Sequence, residues 1–274
     1  MNHLRTPTRW WIPASGSGKA GLAIVIVVGA IALIGPLAAP YSPDATLSLP
    51  YAPPSAAHWL GLDFLGRDVL SRVLHGGLTV VFYAGVATIA AYLVGLPMGL
   101  FAGYRRTWRE TVLMRSTDVL LAFPALVLLI LLSTAAGPGM VGILIATTII
   151  QLPPIIRIVR SATLEQSVRG YVEAAVARGE STLAVLRREI LPNIARPLSA
   201  DVGLRFSWSV LLIASVNFLG LGLRAPASDW GLMVSENRGS VAANPAAVLV
   251  PAALLGALTL GINLLGDALT GGKE

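Results

Sequence analysis

The side chains that could do chemistry are few, and their spacing argues against catalysis by this chain. Among its 274 residues there is no cysteine, so disulfides, thiolate metal sites and thiol nucleophiles are all excluded. His58 and His75 are too far apart in the chain for the helical spacing of a metal-binding pair. Gly16-Ser17-Gly18-Lys19-Ala20 faintly resembles a phosphate-binding loop. That loop, however, needs glycine where Pro13 stands and a hydroxyl residue where Ala20 stands, so it is rejected. Energy for any work done here must come from another chain.

What remains are charged residues at helical intervals and one long polar stretch. Asp63 and Arg67, and Asp68 and Arg72, are each four residues apart, so a helix here would pair acid with base and hold an interfacial segment together. Asp201 and Arg205 repeat that spacing, and Arg115 and Asp118 stand three apart. The polar stretch, Gly170 to Asn193, predicts two short helical runs, Val168 to Arg178 and Thr182 to Ile190, broken at Gly179 and closed by Pro192. Ser181 or Thr182 can cap the second run. Ala174, Ala175 and Ala177 favour helix while adding little bulk, so a partner could approach closely. Glu173 could pair with a base in the loop or on that partner.

The elements that position these residues must be membrane helices. The chain is 55% hydrophobic and 12% charged, with a mean hydropathy of +0.73, against about 25% charged residues in an ordinary soluble domain. One soluble core of this size could not hide so much apolar surface. Residues 1–19 are polar and basic, with Trp10 and Trp11 suited to an interface. Residues 20–39 form an uncharged apolar run, longer than the roughly 7–15 residues of a secretory signal core. Residues 40–77 are a proline-rich external segment, and residues 78–269 hold five further spans, with a polar loop at 157–197 and a tail at 270–274.

Within this core, Leu78 to Gly103 is the second span, and Gly95, Gly99 and Gly103 put a stripe of small residues on one face for close helix packing. The third span is expected at Thr111 to Ala136, ended by the breaker cluster Ala136 to Gly139. The fourth is Met140 to Ile156, interrupted at Gln151 and Pro153-Pro154. Pro197 to Leu221 is the fifth and most polar, Arg224 to Asn244 an external loop, and Pro245 to Leu269 the sixth. Polar residues in a span avoid lipid, so Arg205, Ser209 and Asn217 are candidates either for lining a water-filled path or for bonding between helices. Most lysines and arginines lie before span one and after spans two and four, which puts both termini and the polar loop in the cytoplasm. The net charge of +6 therefore reflects loop bias and not nucleic-acid binding.

Glu173-Ala174-Ala175, Gly179 and Ile190-Leu191-Pro192 resemble the EAA loop of ABC-importer permeases. The block His58 to Arg72, with Asp63, Gly66, Arg67, Asp68 and Arg72, resembles one preceding the second span of dipeptide, oligopeptide and nickel permeases, although Leu62 replaces a threonine. Asn217 to Gly222, Trp230-Gly231 and Asn263 to Asp267 resemble the closing part of the second, C-type permease of those importers. Arg178, Glu180 and Glu189 depart from the usual loop pattern.

The resemblance implies an all-α membrane protein of six transmembrane helices, with the type I ABC importer permease fold and cytoplasmic coupling helices. It implies that Tyr171, Glu173, Ala174, Ala175, Ala177, Arg178, Gly179, Leu191 and Pro192 contact an ATPase subunit. The implied partners are a homologous permease in a heterodimer, two ATPase subunits, an extracytoplasmic solute-binding protein and membrane lipid. No cofactor is expected on this chain, since ATP and magnesium would sit in the ATPases. The implied cargo is a dipeptide or oligopeptide, with glutathione or a nickel or other metal chelate as alternatives. An ion-coupled transporter using Asp201, Arg205 and Asp267, or a membrane scaffold, are the competing readings.

Overall fold

A computed structural model describes residues 15–270, apart from 106 and 138. The basic N-terminal segment with Trp10 and Trp11, the tail beyond 270 and Pro138 of the breaker cluster lie outside the described residues. Among those described, five helices are long and apolar enough to cross a membrane, or six if one bent pair is a single span. The first is α1 (Gly16–Ala38), started by Ser15, whose side chain accepts the Gly18 N–H. It therefore begins four residues before the expected apolar run.

The longest helix, α2 (Val69–Tyr104), also starts early, because Asp68 caps it by accepting the Ser71 N–H at 2.7 Å. Its glycine stripe meets α5 (Met140–Ser167). A β-carbon on Gly95 would lie 2.8 Å from Ile155, one on Gly99 2.6 Å from Val159, and one on Gly103 2.6 Å from Thr163. Here the expectation of close packing holds residue by residue. The expected interruption at Pro153-Pro154 does not occur, and α5 runs through both prolines. Membrane helices tolerate proline where neighbouring groups satisfy the freed backbone. Next to the prolines, the buried Gln151 donates to the Arg205 carbonyl at 2.6 Å and to Ser209 Oγ at 2.9 Å.

The third span is not one helix. The chain forms α3 (Trp108–Leu121) and α4 (Ala125–Ala135), bent by 100° at Ala122 to Pro124. Pro124 removes an amide and disfavours helix at Phe123, which is enough to break an apolar run that otherwise reads as continuous. Nor do Arg115 and Asp118 pair: Asp118 is taken by Arg157 of α5, which fixes α3 to that helix at its exposed edge.

After the short helices α6 (Gly170–Ala177) and α7 (Thr182–Ala184), the backbone widens into a π-helix over Val185–Ile190 and continues as α8 (Leu191–Phe218). Pro192 therefore does not close the loop. The wide turn, marked by the Leu191 N–H reaching back to the Leu186 carbonyl, relieves the clash a proline ring makes with the preceding helical turn. The expected pair of Asp201 and Arg205 forms, at 3.0 Å, with Tyr92 donating to Asp201 as well. Between α8 and α10 (Ala246–Thr270) the expected external loop contains a buried helix, α9 (Trp230–Asn237), whose Trp230 donates to the Val73 carbonyl at 2.8 Å. Helices α1 and α10 pack through Gly21 and Gly261, each too close to the other helix to carry a β-carbon.

The α2–α5 contact makes a direct prediction. Gly99→Ala should lower the melting temperature of the purified chain in detergent, by an overpacking cost of roughly 1–3 kcal/mol. Gly29→Ala, where a β-carbon meets nothing within 4 Å, should not lower it.

Candidate functional site

The polar stretch folds as a helix, a sharp turn and a second helix, docked on one end of the bundle. Helix α6 ends in a Schellman motif: the Glu180 N–H bonds the Ala175 carbonyl at 3.2 Å and the Gly179 N–H bonds that of Val176 at 2.9 Å. Gly179 has φ of +81°, a conformation that glycine adopts without steric cost. Ser181 then caps α7 by accepting the Ala184 N–H, the first of the two expected caps. Val172 and Ala175 are buried against a core cluster that includes Leu100, Val159, Val185, Leu186 and Ile190.

Burial on that side decides which residues are left to a partner. Ala175 faces inward, so the open surface of α6 consists of Gly170, Tyr171, Glu173, Ala174, Val176 and Ala177. Arg178 spans the turn, donating to Glu180 at 2.6 Å, with Glu189 at 3.7 Å. Three residues that depart from the usual loop pattern thus form one charge cluster across the turn. Among the described residues Glu173 makes no ion pair, so its carboxylate faces outward. Leu191 is half-buried behind the turn and Pro192 is exposed. Tyr171 donates to Gln166 at 2.7 Å, and Arg105 at the end of α2 donates to Thr182 at 2.9 Å.

At the other end lies a buried charge network. Residues 62–68 form a tight loop closed by a bridge between Leu62 and Asp68, and not the expected helix, and Gly66 (φ +71°) sits so close to the Ser48 carbonyl that a β-carbon would be 2.0 Å away. Asp63 accepts from Arg67 Nε at 2.8 Å and from Arg72 Nη1 at 2.6 Å. Glu236 of α9 accepts from the same two arginines, at 3.1 and 2.7 Å. Of the two expected pairs, Asp63 with Arg67 forms, and Asp68 with Arg72 does not. Asp68 instead caps α2 and meets His58 Nδ1 at 3.1 Å. The arginines turn to a glutamate more than 160 positions away, an interaction that local spacing does not reveal. Asn237 reinforces it by accepting the Phe64 N–H at 3.1 Å.

Two buried carboxylates near this end behave differently. Asp63 is met by two arginines. Asp229, the cap of α9, accepts the N–H groups of Gly231 and Leu232 but has no cationic partner among the described residues. Burial pushes its carboxyl up to about 6, against the opposing pull of the Leu232 amide, Asn217 and the Gly231 amide.

Ser209 and Asn217, candidate path residues, are fully buried within the chain. Ser209 bonds Thr88 and Gln151, and Asn217 Oδ1 accepts the Leu223 N–H at 2.9 Å. Arg205 is partly exposed. The open face of α8 is a neighbouring one, carrying Leu204, Trp208, Leu211 and Phe218.

This arrangement defines a class: a multi-pass helical membrane permease with the type I ABC importer fold, carrying a docked polar helix pair at one end. Residues 95–271 match the family described as binding-protein-dependent transport system inner membrane component, and the chain belongs to that family. It is 36% identical to a glutathione transport system permease protein of Pectobacterium atrosepticum, over 79% of this chain and 72% of that one. It is 35% identical to a dipeptide transport system permease protein of Alkalihalophilus pseudofirmus, over 79% and 71%. It is 33% identical to a di/tripeptide transport system permease protein of Pseudomonas aeruginosa, over 91% and 84%. Among solved structures, an inward-facing methionine ABC transporter matches with a TM-score of 0.59 at 20% identity, covering 73% of this chain and 95% of that one.

Two predictions follow from the buried acids. Arg72→Met strips one of two cations from Asp63 and Glu236, and should cost about 3–5 kcal/mol of stability, read as a fall in melting temperature. For Asp229 the folded chain holds its proton more tightly than the unfolded chain does. The contribution of Asp229 to stability is therefore greatest below pH 3.8 and is lost as pH rises through about 6. The loss should be about 3 kcal/mol, from about 1.4 per pH unit. Asp229→Asn, which keeps the cap acceptor, should flatten thermal stability across that window.

Proposed function

We propose that this chain is one transmembrane subunit of an ATP-driven importer of short peptides. It would form the translocation path with a second, related permease and receive cargo from an extracytoplasmic solute-binding protein. Two ATPase subunits would supply the energy, holding ATP and magnesium themselves, while this chain performs no catalysis. The relatives named for glutathione, dipeptides and di/tripeptides share one cargo chemistry, since glutathione is itself a tripeptide. That favours short peptides over metal chelates, and over the ion-coupled reading.

The observation that carries this reading is the construction of the α6–α7 segment. Its inner side is anchored in a buried cluster, its turn is closed by the Schellman motif, and its outer side is small and open. A segment built so transmits displacement instead of absorbing it. Tyr171, Glu173, Ala174 and Ala177 would meet the ATPase, Ala175 and Leu191 would anchor the lever, and Arg178, Gly179 and Pro192 would set its turn and its exit into α8. The excess of lysine and arginine on the segments at this end supports placing it, with both termini, in the cytoplasm.

Helix α8 continues directly from the lever and would border the path. Its open face, with Trp208, Leu204 and Leu211, and Arg205 at its edge, would face the path or the second permease. Ser209 and Asn217 would hold α8 against α2, α5 and the external segment.

Gly179→Pro tests the reading, because proline fixes φ near −65° where the turn needs +81°. In the reconstituted complex, peptide-stimulated ATP hydrolysis should fall to the unstimulated rate while copurification of the subunits persists. Gly179→Ala, strained by roughly 1–2 kcal/mol, should give an intermediate loss. Full stimulation in the proline variant would overturn the coupling role.

A further inference from the structure

A groove of about 860 Å³ among the described residues is not used by the transport reading. It lies between the end of α2 and the start of α3, beside the start of α7. One wall is apolar, built from Met98, Phe101, Leu113 and Leu183. Phe101 and Leu183 are 46% and 64% exposed, which is costly surface to leave in contact with water.

The mouth of the groove is cationic. Arg105 and Arg109 both line it, both are exposed, and neither enters an ion pair among the described residues. Arg109 stacks over Trp108 at 5.8 Å, and Arg105 is aimed across the groove by its bond to Thr182. Glu110, the acid of the lining, is already neutralised by Arg160, whose Nε donates to it at 2.7 Å. At the same place α3 starts at Thr107 with no side-chain cap, so a helix N-terminus adds its positive end to the two guanidinium groups.

We propose that this groove binds one anionic phospholipid. The phosphate sits between Arg105 and Arg109 at the uncapped start of α3, and an acyl chain lies along the Phe101–Leu113 wall. An apolar wall continuing into a cationic mouth, at the level where spans end, matches an amphiphile with a negative head; neither a soluble anion nor an uncharged lipid uses both halves. Exposed Trp108 fits the same boundary, since indole prefers the headgroup region. Because Arg105 holds Thr182, the bound lipid would touch the first residue of α7. The proposal needs only the membrane placement and not the transport reading.

The test uses the full chain purified in detergent and titrated, under native mass spectrometry, with phosphatidylglycerol, phosphatidylcholine or soluble glycerol phosphate. One phosphatidylglycerol should be retained in preference to phosphatidylcholine. Arg105→Gln with Arg109→Gln should weaken it on the order of 25-fold, at roughly fivefold per charge near a membrane surface. The double lysine variant should retain most of the preference, and the melting temperature of the glutamine variant in lipid-free detergent should match that of the parent. Equal retention of the two lipids, or retention unaffected by the glutamine substitutions, would overturn the proposal. Displacement of the lipid by glycerol phosphate at matching concentration would also overturn it, since the groove would then be a site for soluble phosphate.

Discussion

The contact between α2 and α5 is the constraint on which the rest of the structure depends. Side chains at Gly95, Gly99 and Gly103 would overlap Ile155, Val159 and Thr163, so the two helices run together along a line that ends at the polar segment. Lipid offers no hydrophobic driving force for bringing helices together, and packing at short range is what remains. The cluster that anchors α6 is a continuation of that line, since it includes Leu100 of α2 and Val159 of α5 as well as Val172 and Ala175. A segment docked on a loose helix pair would move independently of it; Gly95, Gly99 and Gly103 leave this pair little slack.

The opposite end is held by charge. Burying two acids and two bases carries a large desolvation cost, which their mutual attraction offsets only when the geometry is good. Asp63, Arg67, Arg72 and Glu236 meet that condition through short bonds shared between both arginines and both acids. The network ties the segment before α2 to α9, and Trp230 of α9 in turn bonds the backbone of α2. The segment between α8 and α10 is thereby tied to the same helix that carries the glycine stripe. Helix α2 is the member common to both ends.

How much of this was legible in the sequence depended on the range of each interaction. The glycine stripe was readable because it repeats every four residues, and Asp201 with Arg205 for the same reason. The loop's helix, turn and cap followed from Gly179 and Ser181, residues whose preferences are local. The break at Pro124 also had a local cause, but the apolar run around it concealed it. Helix α9 was unreadable as a buried element, because Glu236 becomes compatible with burial only when arginines distant in sequence neutralise it. The polar residues of α8 were ambiguous for a deeper reason. Polarity says that a side chain avoids lipid, and it does not distinguish a water-filled path from a neighbouring helix. Ser209 bonds Thr88 of α2, while Asn217 bonds the backbone of Leu223 just beyond its own helix.

The π-helical turn joins these observations. It sits between the lever and α8, at Val185–Ile190, with Leu186 and Ile190 buried in the anchoring cluster and Arg187 and Arg188 turned outward. A π turn has poorer hydrogen bonding than the α-helix on either side, so it is a place where a helix can change pitch at low cost. The chain therefore has a rigid turn at Gly179 and a compliant one a few residues later, in series before the helix that carries Trp208. On the coupling role proposed above, displacement entering at α6 would pass this compliant turn before reaching α8, whose buried face carries Ser209 and Asn217 and whose open face carries Trp208.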